Sequence, residues 1–130
     1  RQRQMCIRDS FHGTADEYAP YAGGYGPKSV SNVDFRSVDQ TVGMWVRVNE
    51  CSTIPIVSSE PDHLGDGTSI TRKVYTAGKP GAEVVLYAIE GAGHTWPGRQ
   101  PRIPVLGRST SNLSANDAMW EFFQRYPRSG

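Results

Sequence analysis

Two short stretches of this chain carry the residue types that acid–base chemistry needs. His12-Gly13-Thr14-Ala15-Asp16 sets a carboxylate behind a tight glycine turn, and Gly91-Ala92-Gly93-His94-Thr95-Trp96-Pro97-Gly98 sets an imidazole in a glycine-rich loop. A carboxylate beside an imidazole fixes its tautomer and stabilises the imidazolium that forms when the ring takes a proton from a serine. Glycines around His94 let its loop bend sharply and carry the ring towards its partners. The nucleophile of such a set commonly sits in a Gly-x-Ser-x-Gly elbow. No such elbow is present: the serines occur in contexts such as Lys28-Ser29-Val30 and Arg108-Ser109-Thr110. Asp16 and His94 are therefore a candidate acid and base without a nucleophile.

The elements that must position these residues can be read in outline. Gly13 to Gly26 is rich in Gly, Tyr and Pro and reads as a loop. Ser37 can cap a helix, with Gln40 three residues on as in a capping box. Val38, Val42, Trp45 and Val46 then recur at helical spacing and should face a core, and Asn49 is a reasonable stop. Ile54 to Thr68 holds Pro55, Pro61, Gly65 and Gly67 and is expected to be a loop. Ile70 to Thr76 and Glu83 to Ile89 are rich in β-branched and aromatic residues and read as neighbouring, antiparallel strands. The second is apolar enough, at Val84, Val85, Leu86 and Ile89, to be covered on both faces. His94 follows its carboxyl end, the sheet edge at which open α/β folds bind ligands. Trp96 to Asn112 is a long loop with three prolines, and a last helix from about Ala115 to Arg125 should pack Met119, Trp120 and Phe123.

Four blocks, taken together, resemble one family. Phe11 to Tyr21, FHGTADEYAPY, is similar to the acid-bearing loop of secreted α/β-hydrolase serine esterases of the polyhydroxybutyrate depolymerase and feruloyl esterase family. Ala82 to Gly98, AEVVLYAIEGAGHTWPG, resembles the strand and histidine loop of that family. Ser37 to Ser52, SVDQTVGMWVRVNECS, and Ala115 to Pro127, ANDAMWEFFQRYP, resemble it also, so the likeness runs over residues 11–130. It implies an α/β fold, here the C-terminal portion of an α/β-hydrolase with an incomplete sheet and flanking helices. It implies Asp16 and His94 as the acid and base of the triad, with His12 belonging to the turn. It also implies ester substrates, either polyesters such as hydroxyalkanoates or feruloylated plant polysaccharides, an extracellular location, and no metal or organic cofactor. Trp96 and Pro97 would form an apolar wall of the acyl or aromatic pocket, or pack the loop down.

The resemblance also frames the rest of the chain. Residues 1–10, RQRQMCIRDS, stand where an apolar strand should lead into the acid loop, and read as an extraneous or disordered leader. Cys51 stands where the family often has a disulfide cysteine, but the region of its usual partner, Thr76 to Pro80, has none. A Cys6–Cys51 bridge is possible by count, and an unbridged Cys51 is the expectation. A sheet lacking its other half should leave Glu83 to Ile89 bare on an apolar face.

Composition bounds the partners. With 14 basic and 13 acidic residues the net charge is +1, which supplies no field for nucleic acid or an acidic membrane surface. No apolar run approaches the roughly 20 residues of a membrane-spanning helix. Asp62, His63 and Asp66 offer ligand atoms but lack the calcium-loop spacing of an EF-hand, so they read as a solvated polar turn. Two alternatives have different chemistry: a non-catalytic polysaccharide-binding module using Tyr18, Tyr21, Tyr25 and Trp96, and a lipase-like hydrolase outside this family.

Overall fold

A computed structural model describes residues 7–127. Its main sheet has four strands: β1 (Ile7–Gly13), β4 (Ile56–Ser59), β5 (Ser69–Tyr75) and β6 (Glu83–Glu90). They lie in the order β1-β6-β5-β4. β1 runs parallel to β6, while β5 is antiparallel to both β6 and β4. A two-residue ribbon of β2 (Gly24–Tyr25) and β3 (Asp34–Phe35) decorates the segment between β1 and the helix α1 (Val38–Val48). A 3-10 turn, Pro104–Leu106, and the helix α2 (Ala115–Gln124) complete a small mixed α/β unit.

β6 is the axis of this unit. Val84, Val85, Leu86 and Ile89 are each no more than 2% exposed. On one face Val84 and Leu86 pack against Val38, Val42 and Val46 of α1. On the other, Val85 packs with Val74 and with Phe122 of α2. The apolar strand expected to be left bare is thus covered on both sides. Exposed apolar side chains lie elsewhere, in the loops, on β4 and at Met44, Val48, Trp120 and Phe123 of the helices.

Local signals explain α1. Ser37 Oγ accepts from the Gln40 amide and Gln40 Oε1 accepts from the Ser37 amide, both at 3.1 Å, so two otherwise orphaned N–H groups are satisfied reciprocally. The helix ends at Asn49, and Glu50 turns the chain with φ of 55°. Cys51 is buried there, and its Sγ donates to the Asn49 carbonyl. The segment of residues 76–80 runs alongside, through Ser52 N–H to Thr76 O and Lys79 N–H to Asn49 O. Cys6 lies outside the described residues, so its pairing with Cys51 does too.

Three expectations are corrected. Residues 54–68 are not all loop, because Ile56–Ser59 pairs with β5 as an edge strand. All four of its residues are exposed, so burial leaves no pattern in the sequence, and the flanking Pro55 and Pro61 stop it at both ends. Of the leader, residues 7–10 belong to β1, paired from Ile7 opposite Glu83 to Ser10 opposite Leu86. A strand at a sheet edge holds its place by backbone bonds and tolerates the polar run. Arg8 lays its guanidinium over Trp45 at 4.5 Å, while one buried oxygen of Asp9 has no hydrogen-bond partner, and burial raises that carboxyl's pKa.

The third correction concerns α2. Ala115 and Phe122 are buried, whereas Trp120 is 65% exposed and Phe123 is also largely exposed. The helix is fastened at its end. Arg125 and Tyr126 both bond the carboxylate of Glu83, at 3.0 and 2.5 Å, and burial together with Glu83 pushes the Tyr126 phenol up to about 12. That clamp accompanies the packing of Phe122 on Val74 and Val85 and the exposure of Trp120 and Phe123. Met44 and Val48 are likewise exposed on α1, on the flank of Trp45 and Arg8.

Leu86→Ala should lower the unfolding free energy by about 2–5 kcal/mol, since Leu86 is fully enclosed. Trp120→Ala should stay within about 0.5–1 kcal/mol of the parent in the same urea titration. The reverse order of the two would place the core on the wrong side of α2.

Candidate active site

Parallel pairing brings the ends of β1 and β6 to one edge, with Gly13 opposite Ile89. The loops that follow are stitched together at once. Thr14 N–H donates to Ile89 O and Ala15 N–H to Ala92 O, each at 2.9 Å. Thr14 Oγ1 donates to Glu90 and accepts from the Gly91 amide. Gly13 is required by this close approach, because any Cβ there would run into the carbonyl of Ala92.

Asp16 sits just past that seam with its side chain 5% exposed. Its Oδ1 accepts from the amides of Tyr18 and Ala19 at 2.8 and 2.9 Å. Its Oδ2 accepts from His94 Nδ1 at 2.8 Å. Burial alone would raise the pKa of this carboxyl, but the Ala19 amide, His94 and the Tyr18 amide outweigh it, and the net shift is downward. His12, the penultimate residue of β1, donates from Nε2 to Ala19 O at 2.8 Å and packs edge-on against Tyr21. It lies 3.7 Å from Asp16 Oδ2 and braces the acid loop.

His94 is carried by a loop whose backbone is held on both sides of the ring. Gly93 N–H donates to Arg108 O, His94 N–H to Leu106 O, and Thr95 Oγ1 to Arg108 O. A Cβ on Gly93 would strike the Leu106 carbonyl, so the two loops approach as closely as their backbones allow. Tyr18 leans on the imidazole with ring centroids 5.5 Å apart. The ring remains 54% exposed, and among the described residues Nε2 has no hydrogen-bond partner. With Nδ1–H committed to a carboxylate, Nε2 carries the lone pair that can receive a proton.

Asp16 and His94 are therefore brought together, as the motifs require. Trp96 is partly committed. Its Nε1 donates to Asn116 Oδ1 at 3.0 Å, pinning the loop to α2, yet it stays 45% exposed. Pro97 is buried. Asp62 and Asp66 lie in an exposed polar turn, as expected, and their carboxylates are engaged in hydrogen bonds. Asp62 accepts from Leu64, Gly65 and Asn112, and Asp66 from Thr68, Thr110 and Ser111. The Ser111 amide, then the Thr68 hydroxyl, hold the Asp66 carboxyl below its ordinary pKa. Sequence reasoning missed this bracket and the Leu106–Arg108 carbonyls, whose one local mark is the backbone turn at Gly107, φ 90°.

Among the described residues no group of three His, Cys, Asp or Glu side chains is placed to hold a metal ion, and no helix is long and apolar enough to cross a membrane. A cleft of about 610 Å³ lies between α2 and β5 beside Arg72 and Tyr87. It does not include Asp16 or His94.

Asp16→Asn should lower stability by about 1–3 kcal/mol at neutral pH, the range for hydrogen bonds to a charged group. Because the folded-state pKa is depressed, this contribution is present above the ordinary carboxyl value near 3.9 and is lost as pH falls through the folded value. Parent and variant should therefore converge in urea titrations below about pH 4. A gap that stays constant down to pH 2 would mean that the ionised carboxylate is not what stabilises the turn.

No protein-family model matches this chain, and comparison with curated proteins finds no match.

Proposed function

We propose that Asp16 and His94 are the acid and base of a serine-esterase triad, in an α/β-hydrolase of the polyhydroxybutyrate depolymerase and feruloyl esterase type. The serine and the oxyanion donors would be supplied by a segment outside these 130 residues. One observation carries the reading: Nδ1 of His94 meets Oδ2 of Asp16 at 2.8 Å across 78 positions of sequence. Two backbone amides aim the carboxylate from its other oxygen. The exposed Nε2 then has the tautomer needed to take a proton from a serine hydroxyl and to return it to the leaving alcohol. Asp16 would orient the ring and stabilise its protonated form. Substrates on this reading are carboxylic esters of hydroxyalkanoate oligomers or of feruloylated polysaccharide, met outside the cell. Trp96, half exposed two residues beyond the base, would form part of the wall against the acyl or aromatic group.

The binding-module alternative has less support. Tyr21 is engaged with His12 and Asp39, and Tyr18 leans on His94, so the tyrosines do not form a flat row. The exposed aromatics Trp96 and Trp120 are the observation that keeps it as the second reading.

The test is esterase activity on short p-nitrophenyl esters. The 130-residue chain should be no faster than its His94→Ala variant. Extending the chain upstream in its own gene, through a Gly-x-Ser-x-Gly elbow, should create activity. His94→Ala or Asp16→Asn in that longer protein should remove about 10⁴-fold of turnover. Activity that survives His94→Ala would end the triad assignment, and polysaccharide retention in affinity electrophoresis without hydrolysis would favour the binding module.

A further inference from the structure

The bracket formed by Asp66 lies outside the acid–base pair, yet its hydrogen bonds lead to the histidine. Oδ1 of Asp66 accepts from the amide and hydroxyl of Thr68 at 2.9 and 2.5 Å, tying the carboxylate to its own loop. Oδ2 accepts from the Ser111 amide at 2.7 Å and from the Thr110 hydroxyl at 3.5 Å, tying that loop to residues 110–111. Arg108 adds a second tie, from Nη1 to Gly67 O at 3.2 Å. Thr68, Ser109 and Thr110 are buried beneath this seam, while Gly67, Arg108 and Ser111 stand exposed along its outer edge. Residues 106–110 in turn hold the histidine loop. Leu106 O receives His94 N–H, Arg108 O receives Gly93 N–H and Thr95 Oγ1, Thr110 O receives Gly98 N–H, and Ser109 Oγ donates to Trp96 O. Five residues from 93 to 98 therefore hang on a strip of backbone that is itself fastened at Asp66.

We propose that Asp66 is a positioning residue for His94, acting through residues 106–111 to keep the imidazole in reach of Asp16. The inference rests on the reading of His94 as a base, but it concerns only the geometry of that base. The His94 side chain is 54% exposed, and Asp16 and Tyr18 are the side chains that orient its ring. The backbone beneath it is set by the pairing to residues 106–108. Loosening Asp66 frees that strip, and a displacement of about an ångström is enough to break a directional hydrogen bond or cost about 10²-fold in a reaction that depends on it. Asp66 does not touch His94, and no role in binding substrate is assigned to it.

The test reads the tautomer of His94 in the 130-residue chain by long-range ¹H–¹⁵N spectra of the imidazole nitrogens above pH 8. A neutral histidine left to itself favours the Nε2–H form, whereas the bond to Asp16 imposes Nδ1–H. Asp66→Asn is the discriminating variant. Its carbonyl oxygen can still accept from Thr68, but its NH₂ faces the Ser111 amide donor-to-donor, so the shortest tie to the strip is lost while the local loop and the Arg108–Gly67 tie remain. The parent should show His94 as Nδ1–H. Asp66→Asn should reduce the Nδ1–H population by about two-fold or more. Val42→Ala, which weakens the distant core, should lower the melting temperature and leave the tautomer unchanged. Asp66→Asn with the parental tautomer would overturn the proposal, and so would loss of the tautomer in both variants, which would mark general destabilisation. A parent lacking Nδ1–H would instead refute the acid–base pair itself, an outcome separable from failure of the Asp66 link.

Discussion

The parallel pairing of β1 with β6 is the constraint on which the rest depends. It alone sends two chain segments, 78 residues apart at Asp16 and His94, out of the sheet at the same edge and in the same direction. An antiparallel pairing would have put the loops of Asp16 and His94 at opposite ends of the sheet. The pairing holds because β6 is anchored on both faces by α1 and α2, so that a half-polar edge strand has a rigid template to join. The buried, unpartnered oxygen of Asp9 is a cost of using such a strand, and the template absorbs it.

Where the sequence was legible, the signal was local. The capping box at Ser37 and Gln40, the valines four residues apart in α1 and the β-branched runs of β5 and β6 each name their structure within a few residues. The contact of Asp16 with His94 was legible for a related reason: Gly13 and Gly93 stand beside them because the loops must approach backbone to backbone, and that need is written next to each residue. The resemblance of four blocks to one esterase family adds a chemical expectation to these signals.

What escaped sequence reading was decided at a distance. β4 carries no burial pattern, since the sheet edge exposes all of it. The choice of Phe122 over Trp120 and Phe123 as the buried ring on α2 accompanies the reach of Arg125 and Tyr126 to Glu83, more than forty positions away. Asp62 and Asp66 look like any polar turn until Asn112, Thr110 and Ser111 are folded onto them. Side chains that bridge remote loops leave no periodicity and no local spacing to detect.

The central position of β6 has a consequence for how the molecule breathes. Its eight residues are bonded to a strand on either side over nearly their whole length, and their side chains are enclosed by both helices. Amide protons in such a strand meet water only when the sheet itself comes apart. The loops that leave its carboxyl end are tied mostly by single hydrogen bonds at the surface, and these can open one at a time. Deuterium should therefore enter the molecule from the histidine loop inwards, reaching the middle of β6 last. The end of the protein that carries Asp16 and His94 is the part that samples open states while the sheet behind it stays closed.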